Sequence, residues 1–210
     1  PDIQAALRGR DTDLAEYEAK QVLDAYGIGV TLEALATGPD EAVRIASALH
    51  GAAVMKIQSS DIPHKTEAGG VRVGVQGNAE VAAAYAQIIA NAKAYDANAV
   101  IDGVLVQEMV SGGTELILGI NNDPLFGPAV MVGFGGIFAE VMKDVSFRLA
   151  PITRSEAESM VRELRAFPIL DGARGRPKAD LPALVDALMR LSAMAIDLKE
   201  SVQELDINPL

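Results

Sequence analysis

A chain of 210 residues with 50% apolar side chains is long enough for one large domain or two small lobes with true cores, which excludes a disordered polypeptide. The 29 acidic residues outnumber the 18 basic ones, and the net charge of −11 repels nucleic acid and anionic membrane surfaces, so a bound phosphate has to be met by a local positive cluster. Cysteine is absent, which excludes disulfides and thiolate metal sites and fits a cytoplasmic setting; no apolar run reaches the roughly eighteen residues of a membrane span.

In chain order, Leu14, Tyr17, Val22, Leu23 and Tyr26 recur at helical spacing and predict a helix over 13–26 that stops at Gly27-Ile28-Gly29. The apolar run 30–36 ends at the turn Thr37-Gly38-Pro39-Asp40, which caps a helix over 41–49. A strand over 52–57 and the alternating Val71, Val73 and Val75 flank a polar loop, 58–70, which holds Pro63, His64 and a glycine pair. A helix over 78–95, a strand in 100–110 and another over 115–120 follow. Asn121-Asn122-Asp123-Pro124 reads as a tight turn, and Gly133-Phe134-Gly135-Gly136 breaks the apolar run 129–132. Helices over 155–167 and 181–199, separated by a Gly/Arg loop, lead to a closing strand over 202–207. Hairpin-like turns near 76 and 122 imply antiparallel pairs, hence an α+β fold, with a lobe junction at Asp102-Gly103. The chain begins at Pro1 and stops directly after that last strand, so a piece of a longer protein is expected.

The residues with chemical potential are few. Lys56 stands in the apolar strand Ala-Ala-Val-Met-Lys-Ile, and either faces water from an edge or binds an anion, because an unpaired buried ammonium is very costly. The loop Ser59 to Gly70 has the hydroxyls, lysine and backbone freedom to wrap phosphate, with Lys65 beside His64. His64 is either an exposed loop histidine without a task or a nucleophile, since neutral imidazole attacks phosphorus. In the closing strand, residues two apart share a face, so Asp206 and Asn208 present two oxygens suited to Mg²⁺. Gln107, Glu108, Met109 and Val110 form a candidate adenine hinge and Glu115 a ribose contact, although a buried strand entering a hairpin has the same pattern. Arg148 and Glu140 are candidate phosphate and metal contacts. His50 reads as a cation at a helix C-terminus, and the loop 171–176 as a solvated turn able to touch an anionic partner. The glycines at 133, 135 and 136 match neither a Walker loop nor a full Rossmann fingerprint.

Taken in order, several segments carry a family pattern: Glu18-Ala19-Lys20 to Tyr26-Gly27-Ile28; Met55-Lys56-Ile57; Ile62-Pro63-His64-Lys65-Thr66-Glu67-Ala68-Gly69-Gly70-Val71; Val106-Gln107-Glu108-Met109; Thr114-Glu115-Leu116-Ile117-Leu118-Gly119; Gly135-Gly136-Ile137-Phe138-Ala139-Glu140; Phe147-Arg148-Leu149-Ala150-Pro151; and Glu204-Leu205-Asp206-Ile207-Asn208-Pro209-Leu210. The chain resembles the ATP-grasp region of ADP-forming acyl-CoA synthetases and is similar to the nucleotide-binding β subunit of succinyl-CoA synthetase. The resemblance implies an ATP-grasp fold with an N-terminal lobe over 1–102 and a C-terminal lobe over 103–210 that stops short of a further strand carrying another acidic Mg²⁺ ligand. It implies ATP/ADP and Mg²⁺ as cofactors, and Lys56 on the nucleotide phosphates. Gln107, Glu108, Met109 and Val110 would form the adenine hinge, and Glu115 would meet the ribose. Asp206, Asn208 and Glu140 would be metal contacts, with His64, Lys65 and Arg148 at the phosphoryl transfer itself. A CoA-binding ligase subunit or fused domain is the implied partner, and His64 swings its phosphate between that partner and the nucleotide. Two other classes share parts of the pattern: a degenerate regulatory domain attached to an acetyltransferase-type protein, and a carboxylate–amine ligase without a histidine carrier.

Overall fold

The computed structural model describes Leu7, residues 14–135 and residues 144–210. By its contacts the chain divides into two units, one holding residues 14–24 and Gly29–Ser111, the other holding Leu7, Ala25–Ile28 and, among the described residues, those from Gly112 to Leu210.

The first unit contains α1 (Glu16–Ala25, all but its last residue), β1 (Glu33–Ala36), α2 (Pro39–Ala48), β2 (Ala53–Gln58), β3 (Val71–Val75), α3 (Asn78–Tyr95) and β4 (Gly103–Glu108). Its antiparallel sheet runs β1-β4-β2-β3. Strand alternation sends Ala53, Met55 and Ile57 of β2, with Val104 and Val106 of β4, toward α2 and α3, where they are buried with Val81, Tyr85, Ile88 and Ala92. The intervening residues Val54, Lys56, Leu105 and Gln107 therefore share the opposite face. Because β4 is hydrogen-bonded between β1 and β2, it belongs to this unit. The division accordingly falls after Ser111 and not at the Asp102-Gly103 junction expected from the sequence.

The second unit contains β5 (Leu116–Asp123), β6 (Gly127–Phe134), β7 (Val145–Leu149), α4 (Arg154–Glu163), α5 (Phe167–Leu170), α6 (Leu181–Asp197) and β8 (Glu204–Ile207). Its sheet, β7-β6-β5-β8, is also antiparallel throughout. Leu118, Ile120, Val130 and Val132 are buried on the side of α6, whose Leu184, Leu188 and Leu191 are buried too. Helix α4 opens with a capping box between Thr153 and Glu156, and α6 with Asp180 accepting from the Ala183 N–H.

Several sequence expectations change here. Asn121, Asn122 and Asp123 are the end of β5 and not a turn. The reversal is at Pro124–Phe126, where Asp123 Oδ1 accepts from the Leu125 and Phe126 N–H groups at 2.7 and 2.9 Å. The turn near 76 leads into α3, and the antiparallel partners β2 and β3 are joined instead by the His64 loop. Gly133 and Phe134 lie inside β6, so they continue the apolar run 129–132 and do not break it. Gly133 is required by packing, since a Cβ would stand 2.7 Å from Val145 Cγ1. The helix expected over 155–167 ends at Glu163, and β7 was not anticipated from the sequence.

Candidate phosphate site

The loop between β2 and β3 is pinned at both ends. Ile62 is fully buried and Ala68 nearly so, while the Ile57 N–H donates to Gly70 O and the Gly70 N–H to Lys65 O, both at 2.8 Å. Asn91 of α3 donates to Gly69 O at 2.8 Å, and Gly69 adopts φ +63, a region that favours glycine. At Gly70 an added Cβ would stand 2.5 Å from Cγ2 of the buried Ile57. Gly70→Ala should therefore destabilise the fold by about 2 kcal/mol, read as a lower denaturant midpoint at unchanged slope; a neutral result would mean that the loop is held differently. Between these pins, His64 is exposed, and its carbonyl accepts from the Ala68 N–H at 3.1 Å.

Beside His64 lies an open concavity of about 430 Å³ lined by Glu16, Lys56, His64, Lys65, Thr66 and Glu67 among others. Lys56 reaches it because it points away from the core of its sheet. Its Nζ donates to Glu16 Oε1 at 2.8 Å, and Lys65 Nζ donates to Glu16 Oε2 at 3.2 Å. Lys20, one turn along α1, donates to the same Glu16 Oε1 at 3.1 Å, to Glu33 at 2.6 Å and to Thr31 at 3.3 Å. Glu16 sits in the first turn of α1, where a carboxylate also complements the helix dipole, and Glu18 accepts from the Ala15 N–H at 3.0 Å. Sequence reasoning passed over Glu16, two of whose three lysine partners, Lys56 and Lys65, are 40 and 49 residues away.

Burial alone pushes the Glu16 carboxyl up, but the hydrogen bond and charge of Lys56, joined by the charges of Lys20 and Lys65, outweigh it and hold the pKa at about 2. A carboxyl whose folded value lies below its unfolded value contributes stability above the unfolded value, and loses it as pH falls toward the folded one. Between about pH 4.5 and pH 2 the wild type should therefore lose stability that Glu16→Gln does not lose, as read by denaturant titration across that range. Parallel acid limbs for the two proteins would contradict this pairing.

The remaining candidates fall into separate groups. Gln107 shares the sheet face of Lys56, and its Oε1 is buried with no hydrogen-bond partner among the described residues. The Glu108 N–H donates to Leu32 O at 2.9 Å and the Met109 N–H to Ala52 O at 3.1 Å, and both Met109 and Val110 have exposed side chains. In the other unit, Asp206 lies opposite Gly119, and its Oδ1 would stand 3.0 Å from a Cβ placed there. Asn208 follows β8 on a segment whose Leu210 exchanges two backbone hydrogen bonds with Leu116, directly after the exposed Glu115. Glu115, Asp206 and Asn208 are thus gathered along β5 and β8. Asp206 and Asn208 are exposed hard oxygen donors without an ion pair among the described residues, a donor chemistry that suits Mg²⁺. No set of three His, Cys, Asp or Glu side chains converges on a metal position among the described residues.

Arg148 does not join them. The row Asp206, Gly119, Met131, Phe147 crosses one face of the sheet, whereas Arg148 belongs to the row of Leu205, Ile120 and the buried Val130 on the other face. There its guanidinium donates to Glu163 of α4 at 2.5 Å. Glu140 and Gly136 lie outside the described residues.

Residues 5–210 match the model of an ATP-grasp domain family. Over 208 residues the chain is 43% identical to the β subunit of ADP-forming acetate–CoA ligase II from Pyrococcus furiosus, covering 99% of this chain and 88% of that subunit. The chain belongs to the ATP-grasp family of ADP-forming acyl-CoA synthetases. Within that family it is 45% identical to the ADP-forming 4-hydroxybutyrate–CoA ligase of Nitrosopumilus maritimus, where the match covers 94% of this chain but 28% of the longer relative. Among solved structures, the dinucleotide-forming acetyl-coenzyme A synthetase 1 of Ca. Korarchaeum cryptofilum, in complex with coenzyme A, Ca-AMPCP and HgCl+, superposes with a TM-score of 0.90. The pair are 43% identical, over 99% of this chain and 90% of that one. Another structure of that synthetase holds coenzyme A and Mg-AMPPCP, with a phosphohistidine segment pointing towards the nucleotide binding site; its TM-score is 0.83 at 40% identity, over 99% of this chain and 89% of that one. The α+β architecture read from the sequence is therefore the ATP-grasp fold. No helix among the described residues of this ATP-grasp chain is long and apolar enough to cross a membrane.

Proposed function

We propose that this chain is the nucleotide-binding part of an ADP-forming acyl-CoA synthetase, and that His64 carries the phosphoryl group between nucleotide and a CoA-binding partner subunit or fused domain. The observation that carries the reading is the convergence of Lys56 and Lys65 beside an exposed histidine on a loop pinned at both ends. Such an arrangement supplies what phosphoryl transfer asks of a protein, namely positioning and charge neutralisation.

In the direction that consumes ATP, a neutral His64 nitrogen gives its lone pair to the γ-phosphorus. An N–P bond forms, the bond from phosphorus to the β,γ-bridging oxygen breaks, and ADP leaves with that electron pair. Lys56 and Lys65 meet the phosphate oxygens and offset the charge that builds on them. Gln107, Glu108, Met109 and Val110 take the adenine edge and Glu115 a ribose hydroxyl. Asp206 and Asn208 hold Mg²⁺, which when bound neutralises phosphate charge. Relatives named for acetate, 4-hydroxybutyrate and trans-feruloyl-CoA support a carboxylic acid as the substrate to be activated.

Incubation with γ-labelled ATP and Mg²⁺ tests the reading. One acid-labile, base-stable label per chain, recovered on the peptide containing His64, is expected. A chain that binds nucleotide yet never acquires label, or acquires an acid-stable one, would refute the carrier role.

A further inference from the structure

We propose that Glu16 is the internal counter-anion of the phosphate site: its carboxylate fills the position between Lys56 and Lys65 that a phosphoryl group takes, and is displaced when that group arrives. The inference rests on the reading above, in which those two lysines contact phosphate.

The geometry is that of an anion bridging two cations. One carboxylate oxygen accepts from Lys56 on β2 at 2.8 Å, and the other from Lys65 in the His64 loop at 3.2 Å. Two oxygens divided between two ammonium groups on separate elements reproduce what two phosphoryl oxygens would do there. The side chains of Glu16, Lys56 and Lys65 are 28%, 24% and 23% exposed, so the pairs are sheltered enough to hold yet open enough to exchange with an incoming anion. Helix α1 has an independent anchor in Lys20, which binds Glu33 at 2.6 Å and Thr31 at 3.3 Å, so release of Glu16 does not free the helix.

Charge counting gives the direction of the effect. Lys20, Lys56 and Lys65 against Glu16 and Glu33 leave one net positive charge, and loss of Glu16 leaves two. Glu16 thus weakens the resting grip on phosphate. It also returns the lysines to a paired state once the phosphoryl group has gone, so that they do not trap it. A residue that merely propped the lysines in place would have the opposite sign, because its loss would loosen them and weaken binding.

Isothermal titration of the full chain with ATP·Mg, and separately with inorganic phosphate, decides between these signs. Glu16→Gln should bind ATP about fivefold to tenfold more tightly than wild type, with a steeper loss of affinity as salt rises. In a Lys56→Met background the same substitution should change affinity less than about twofold, because one of the two contested cations is gone. Glu16→Asp, which withdraws the carboxylate by one methylene, should fall between wild type and Glu16→Gln, and serves if the glutamine variant does not fold. Unchanged or weaker ATP binding by folded Glu16 variants would overturn the inference alone. A wild-type chain that binds no ATP at any salt concentration would overturn both the inference and the nucleotide reading beneath it.

Discussion

His64→Ala should abolish the labelled phosphoenzyme and lower the complete acyl-CoA-forming reaction, with its partner present, by at least about a thousandfold. No neighbour in the loop can take over. Lys65 is a charged donor paired with Glu16, and the hydroxyl of Thr66 is a far weaker nucleophile than imidazole without a base to activate it. The loop itself should survive the change. His64 is exposed, and its structural link is a backbone carbonyl accepting from the Ala68 N–H, which alanine retains. The melting temperature should therefore stay within the small range usual for surface substitutions, roughly 0.5 kcal/mol in stability. Label that persists at wild-type stoichiometry in the alanine variant would move the carrier elsewhere in the chain.

Lys56→Met should weaken ATP binding and slow phosphoenzyme formation together, by about 10- to 100-fold in their product. That is the loss expected for one charge-assisted hydrogen bond to a phosphate, about 1.5–3 kcal/mol. Methionine keeps an unbranched apolar stem on the sheet face opposite the core, so the deletion is mainly of charge. Glu16 retains Lys20 and Lys65 as partners in this variant, which protects the local fold. Lys56→Arg should recover part of the affinity but less of the rate, since a planar guanidinium cannot reproduce a compact ammonium at the same reach. Kinetics unchanged in Lys56→Met would leave the lysine as an ion-pair partner of Glu16 alone.

What the sequence made legible follows physical locality. Helix α3 is legible with both ends, 78–95, because an alanine-rich run of strong helix formers is bounded by Gly77 and Asp96. The strand placement of Asp206 is legible from the two-residue period, and Lys56 draws notice because an ammonium in an apolar run demands a partner, which is Glu16. Some misses involve distant partners. Asn122 has turn chemistry, yet its N–H donates to Gln203 O at 2.9 Å and its side chain to Lys199 O at 2.5 Å, and these contacts hold it in β5. The pairing of Arg148 with Glu163, fifteen residues on, does not announce itself in the sequence. Glu16 was missed for the same reason over a longer span. Its place in the first turn of an amphipathic helix has a sufficient local explanation in the helix dipole, which concealed the tertiary one.

The buried Ile62 sets the energetics of any long excursion by the histidine. With Ile62 fully sheltered two residues before His64 and Ala68 sheltered four residues after it, side-chain rotation is free but translation of the segment is not. Carrying the imidazole farther than its own bonds reach means drawing an isoleucine into water, at about 2–3 kcal/mol. Left to thermal fluctuation, the extended form would be occupied roughly one part in a hundred, so a docked partner that favours it by a few kilocalories would turn a rare event into the resting state.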